Sequence, residues 1–193
     1  MRVLVLYAHP VEDSFNAAVH ATAVQTLREA GHDVDDCDLY AEGFSPILTR
    51  EERIKYHDVP QNRGPVSSYV ERLLAAEALV IVTPVWNFGF PAILKGFFDR
   101  VFLPGVSFRM EAGKVKPSLH NITRLVGLTT YGGTRMRAFL AGDPPRKIVT
   151  RVIRAVIKPF APVTYLAHYD MNRCTPQTRA AHLVKVAAAM KAL

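Results

Sequence analysis

The sequence predicts an α/β fold, doubly wound as a sandwich around a parallel sheet of five strands. Short strand-like runs at 3–7, 34–39, 78–82, 122–129 and 163–167 alternate with stretches of helical periodicity. The third run, Ala-Leu-Val-Ile-Val, is continuously apolar, as a central strand covered on both faces must be. The chain has 193 residues, 49% of them apolar, which is enough for one domain with a sizeable core and excludes disorder.

Each element has its own signal. The first strand opens a loop, 8–14, that carries Pro10, Glu12 and Asp13. A helix over about 15–30 follows, because Phe15, Val19, Ala23, Leu27 and Ala30 recur at helical spacing. Ser14 is placed to cap it and Gly31 to stop it. The second strand has polar interruptions and belongs near a sheet edge. The stretch 41–65 is charged and rich in proline, with room for one short helix around 50–56. Helices are expected over 66–76, 91–102, 146–157 and 177–193, and an irregular excursion over 103–121.

In such a sheet, ligands bind beyond the carboxyl ends of the strands, which selects the loops 8–16, 83–91 and 129–135. The first reads His-Pro-Val-Glu-Asp-Ser-Phe-Asn. It has neither the glycine-rich dinucleotide fingerprint nor a P-loop lysine. It does enter a helix, so the N–H groups of Ser14, Phe15 and Asn16 and the Ser14 hydroxyl could meet a phosphate, with His9 beside it. The plainer alternative is that Ser14 only caps the helix and His9 makes a structural hydrogen bond.

The second loop places Pro84, Val85, Trp86, Asn87 and Phe88 before Gly89. Its rigid aromatic groups suit a flat ring, or equally a local core plug. The third is Thr129, Thr130, Tyr131, Gly132 and Gly133, whose hydroxyls and N–H groups suit the polar edge of a ligand, or merely turn the chain. Any one loop is weak evidence. Three on one sheet edge are stronger, because the fold brings them together.

Other chemistries find little support. No G-x-S-x-G elbow is present. The histidines lack metal-ligand spacing, so no metal is expected. Cys37 and Cys174 do not make a disulfide framework, which points to a reducing, cytoplasmic setting. No apolar run approaches twenty residues, so no membrane span is expected, and the apolar start of the chain is too short for a secretory signal. The net charge is +7, with Arg135, Arg137, Arg146, Lys147, Arg151, Arg154 and Lys158 clustered and Asp143 the acid among them. Such a patch could serve nucleic acid, a phosphorylated cofactor, or simply solvation. No nucleic-acid motif accompanies it.

Together the motifs YAHPVEDSFNAAV, TPVWNFGFPAILKGFFDRVFLPGVSF and TTYGG resemble the flavodoxin-like NAD(P)H:quinone oxidoreductase family, and WNF and GVSF are also similar to FMN-dependent azoreductases. The resemblance spans 1–193 in organisation and is concentrated in 1–40 and 77–133. It implies a flavodoxin-like three-layer sandwich and a bound flavin: FAD, on the match of Ser-Phe-Asn, with FMN the alternative. It implies flavin phosphate at Ser14, Phe15 and Asn16 with His9 nearby, the flavin ring against Pro84, Val85, Trp86, Asn87 and Phe88, and its other polar edge at Thr129, Thr130, Tyr131, Gly132 and Gly133. NADH or NADPH would deliver hydride and a quinone, azo or nitroaromatic compound would then accept two electrons, in ping-pong order. Asn87 would orient the reactive side and Tyr131 would donate to the flavin edge or substrate. A homodimer is implied, with Phe108 at a lip of the cleft. An accessory or redox-sensing flavin subunit is the rival class. One departure stands out: the Tyr and His that assist the mammalian quinone reductases beyond the glycine-rich loop are absent from 135–146, where Met136, Arg137 and Asp143 lie instead.

Overall fold

The computed structural model describes residues 1–193. Strands β1 (Arg2–Tyr7), β2 (Asp33–Asp38), β3 (Ala78–Val85), β6 (Arg124–Tyr131) and β7 (Val163–His168) form one sheet in the order β2-β1-β3-β6-β7, every pairing parallel. A separate antiparallel hairpin, β4 (Phe108–Glu111) and β5 (Lys114–Pro117), lies outside it. All eight residues of β3 are buried, as its apolar sequence requires of a central strand. The polar β2 sits at the edge, as expected, with only Cys37 fully covered.

Helices cover both faces. On one, α1 (Phe15–Glu29) and α7 (Pro176–Lys191) pack Val19, Leu27, Val186 and Met190 against Val5, Val80 and Leu128. On the other, α3 (Ser67–Ala75) and α4 (Ala92–Val101) bring Leu73, Leu94 and Phe97 onto Leu4, Leu79, Ile81 and Leu125. This second face is completed by α6 (Pro144–Lys147) and the π-helical turn Ile148–Ile153 that continues it. A short α2 (Arg50–Ile54) lies between β2 and α3. The chain leaves β1 for one face and β3 for the other. A crevice therefore opens between these neighbouring strands at their carboxyl ends.

Most sequence signals act as expected. Ser14 caps α1 by accepting from Ala17 N at 3.1 Å, and Gly31 takes a positive φ of 81° just past the helix end. Three differences matter. Strand β3 runs through Thr83, Pro84 and Val85, and β6 through Thr130 and Tyr131, so these residues are paired strand rather than loop. Pro84 is tolerated because it lies past the last pairing with β1, at Tyr7–Val82. The excursion 103–121 contains the hairpin β4–β5, whose exposed, charged residues give no alternating pattern. A further helix, α5 (Arg135–Leu140), buries only Ala138, so no apolar stripe announces it.

Candidate functional site

The first loop is a polar shell around the start of α1. His9 Nδ1 accepts from Val11 N at 3.1 Å, and burial holds the imidazole below its usual pKa. Ser14 Oγ is committed to Ala17 N. The N–H groups of Phe15 and Asn16, in the first helical turn, meet no protein acceptor. The Phe15 side chain turns inward, its ring 5.3 Å from His168 and 6.0 Å from His182. Asn16 is buried and donates through Nδ2 to Thr130 Oγ1 at 3.2 Å, while its Oδ1 has no partner.

The second loop is a two-residue turn. Trp86 N donates to Gly89 O at 3.1 Å, and Gly89 N to Trp86 O at 2.8 Å. Between them Asn87 and Phe88 both take left-handed backbone, with φ of 50° and 56°. That is the type I′ geometry, which glycine and asparagine adopt readily and phenylalanine does not. In this turn the Asn87 and Phe88 N–H groups meet no protein acceptor. Trp86 and Phe88 stay 43% and 37% exposed, so they are no core plug.

The third loop is shorter than the sequence suggests. Gly132 and Gly133 are its open residues, and their N–H groups are unpaired. A Cβ on Gly133 would stand 3.9 Å from Phe88 Cζ, and one on Gly132 3.7 Å from Asn172 Oδ1. Gly133 O accepts from Asp170 N at 2.9 Å, which ties the loop to the chain beyond β7.

The loops therefore meet at one sheet edge. His9 lies edge-on to Trp86, with ring centres 6.0 Å apart, Asn16 reaches Thr130, Phe88 faces Gly133, and Val85 pairs with Tyr131. Free N–H groups from all three loops converge there, a donor set suited to an anionic, heteroaromatic ligand.

Some expected residues point elsewhere. Thr129 is buried and donates to Tyr165 Oη at 3.0 Å. Tyr131 is only 1% exposed. Its hydroxyl donates to Asp143 Oδ1 at 2.6 Å and lies 2.6 Å from Tyr165 Oη. Burial, then the Tyr165 and Asp143 charges, push its pKa up. A donation from this hydroxyl to a ligand, expected from the sequence, has no opening in this geometry. Strand alternation is the reason: Thr130 faces α1, and Thr129 and Tyr131 face away from it. Pro84 and Val85 are buried as well and offer main chain rather than side chain. Phe108 is half-buried, in a largely apolar groove with Phe98, Phe102, Ile148 and Val152.

Sequence reasoning passes over Tyr165, Tyr169 and Asn172. The two tyrosines enclose Tyr131, and the Tyr169 ring lies tilted against it with ring centres 4.6 Å apart. Period-two spacing at Tyr165, Ala167 and Tyr169 was the available signal, since all of them pack on the same side beside Val85, Tyr131 and Ala138. Gly127 makes room for this cluster, because a Cβ there would lie 2.9 Å from the Tyr165 ring.

The flavodoxin-like fold family matches the sequence over residues 1–192. NAD(P)H dehydrogenase (quinone) 1 of Rattus norvegicus is 31% identical over 151 residues, which is 70% of this chain and 55% of that protein. Ribosyldihydronicotinamide dehydrogenase (quinone) of the same species is 30% identical over 160 residues, 74% of this chain and 69% of that one. The structure of an NAD(P)H:quinone oxidoreductase from Methanothermobacter marburgensis superposes with a TM-score of 0.83 at 26% identity, covering 99% of this chain and 98% of that one. In each of the first curated relatives the match takes in 55% of the relative's length, so the chain spans about half of them. No helix is long and apolar enough to cross a membrane. On the family match and the shared strand order, the chain belongs to the flavodoxin-like fold family.

Proposed function

We propose that this protein is a flavin-dependent NAD(P)H:quinone oxidoreductase. The observation that carries the reading is the strained turn at Asn87 and Phe88. It holds two unpaired N–H groups and two exposed aromatic side chains at the carboxyl end of β3, between His9 and Gly133. Quinone-reducing activity in the named relatives supports it.

The residues present fit a flavin. The Phe15 and Asn16 N–H groups, at the positive end of α1, would hold its phosphate. The Asn87 and Phe88 N–H groups would meet the reactive edge of the ring, and Gly132 and Gly133 the other polar edge. Trp86 and Phe88 would cover its flat surface. When bound, the flavin supplies two-electron hydride chemistry, accepting from a nicotinamide and reducing a quinone. The protein's part is to orient the reactants, exclude water with its aromatic side chains, and stabilise developing negative charge with preorganised dipoles. The same open face would serve donor and acceptor in turn, which is the ping-pong order. No side chain is assigned as general acid, because the Tyr131 hydroxyl is enclosed by Asp143 and Tyr165.

FAD is the flavin proposed, with FMN the alternative. A cavity of about 380 Å³ opens beside the start of α1, lined by His168, Asp170, Arg173, Thr178, His182 and Lys185. It lies on the α1 face of the sheet and offers room for an adenosine half that FMN lacks. Exposed Met136 and Leu140, one turn apart on α5, support a homodimer.

The test is an anaerobic visible spectrum of the purified protein reconstituted with flavin. Addition of NADH or NADPH should bleach the flavin band, and a quinone should restore it. Flavin that binds but is not bleached by either donor makes the chain a binding or sensing subunit. Failure of both FMN and FAD to bind removes the reading altogether.

A further inference from the structure

The basic stretch of the sequence is not a uniformly solvated surface. Arg135, Arg146, Lys147 and Arg151 converge on one cavity of about 340 Å³, together with Asp143, Tyr169 and Phe139. Arg146 is spoken for: it pairs with Asp143 at 3.3 Å and lies over the Tyr165 ring at 4.7 Å. Asp143 is also held by the Tyr131 hydroxyl. Arg135, Lys147 and Arg151 have no acidic partner within ion-pair distance. Like charges gathered around one concavity repel and raise its potential, which favours an anion of more than one charge. Guanidinium and ammonium groups together suit phosphate. The walls are also aromatic. Phe139, 74% exposed, gives a flat surface on which a purine can lie, and the half-buried Tyr169, whose other side meets Tyr131, adds an edge to the wall. Phosphate recognition beside a stacking surface describes a phosphorylated adenosine.

Position decides which one. The cavity starts at Arg135, two residues beyond Gly133, and so at the rim of the cleft. It lies on the face covered by α6 and the π-helical turn, across the sheet from α1, where the flavin phosphate is assigned. A ligand anchored here approaches the cleft from the opposite side to the flavin.

We propose that this cavity is the subsite for the adenosine 2′-phosphate of the electron donor, and that the protein selects NADPH over NADH through it. The proposal rests on the reductase reading above, and its test reads binding rather than turnover. Calorimetry on the flavin-reconstituted protein compares adenosine 2′,5′-bisphosphate with adenosine 5′-monophosphate, for the native chain and for a Lys147→Gln/Arg151→Gln variant. The bisphosphate should bind at least tenfold more tightly than the monophosphate. The variant should lose at least tenfold of that affinity while its melting temperature and its FAD affinity stay as they were. Equal affinity for the two nucleotides overturns the proposal, as does a variant that binds bisphosphate normally. A variant that loses FAD instead places the flavin's own adenosine in the cavity and also overturns it. So does salt-sensitive binding of duplex DNA that the variant abolishes in the absence of nucleotide binding, which would make this a nucleic-acid surface. A protein that fails to bleach with any donor yet binds the bisphosphate as described loses the reductase reading and keeps the phosphate site.

Discussion

The side chain of Asn16 donates to Thr130 Oγ1 at 3.2 Å, joining the first turn of α1 to the end of β6 across 114 residues of sequence. The bond is buried, and Asn16 Oδ1 is left without a partner beside it. The contact sets where the free N–H groups of α1 stand relative to the other loops. Asn16→Ala should therefore cost about 1 kcal/mol of stability and weaken flavin binding by roughly tenfold through misplacement of those donors. Thr130→Val should do the same, and the double variant should cost less than the sum, since the residues share one interaction. Denaturant titration and flavin fluorescence quenching measure the two effects. Full additivity would show that Asn16 and Thr130 act separately.

Phe88 sits at φ 56°, where a side chain of its size is strained. Phe88→Gly relieves that strain by about 1 kcal/mol and gives up the packing of a half-exposed ring against Gly133. The two effects offset, so the melting temperature should change by no more than a few degrees. Flavin affinity should fall by about tenfold, the worth of one aromatic contact. A variant that is clearly destabilised but binds flavin normally would return Phe88 to a packing role.

Tyr131 separates what the sequence can say from what only the fold can. The spacing of strands and helices, the edge position of β2, the Ser14 cap and the meeting of the three loops were all legible, because each depends on local periodicity or on a sheet's general geometry. Which side of the sheet a loop-flanking residue faces was not. That depends on where β6 ends, and the expected strand over 122–129 has the right length but stops two residues before the observed end at Tyr131. Extending β6 to Tyr131 turns its side chain onto Asp143, itself on an unrecognised segment between α5 and α6. Tyr131→Phe should then cost about 1–3 kcal/mol of stability, because Asp143 loses its short, buried donor. Turnover at saturating donor should change by less than threefold. A loss of a hundredfold or more without a matching loss of stability would restore the hydroxyl to the chemistry.

His182 and His168 lie 5.2 Å apart beneath Phe15, with Lys185 on the same side. Burial, with contributions from His168 and Lys185, lowers the His182 pKa to about 4, and burial lowers that of His168 as well. His182 Nε2 and His168 Nδ1 have no partner, so the fold accommodates both rings neutral. An unfolded histidine takes up its proton near pH 6.5. Between there and about pH 4 the unfolded chain binds more protons than the folded one, and stability falls as the pH falls. Below about pH 4 the folded His182 is protonated too and its contribution levels off. The loss attributable to His182 is at most about 3 kcal/mol across that window. His182→Gln should flatten the decline in melting temperature between pH 6.5 and 4, leaving the smaller share due to His168, while stability near pH 8 changes little. A variant whose melting temperature follows the native pH curve in parallel would mean that acid sensitivity arises elsewhere in the chain.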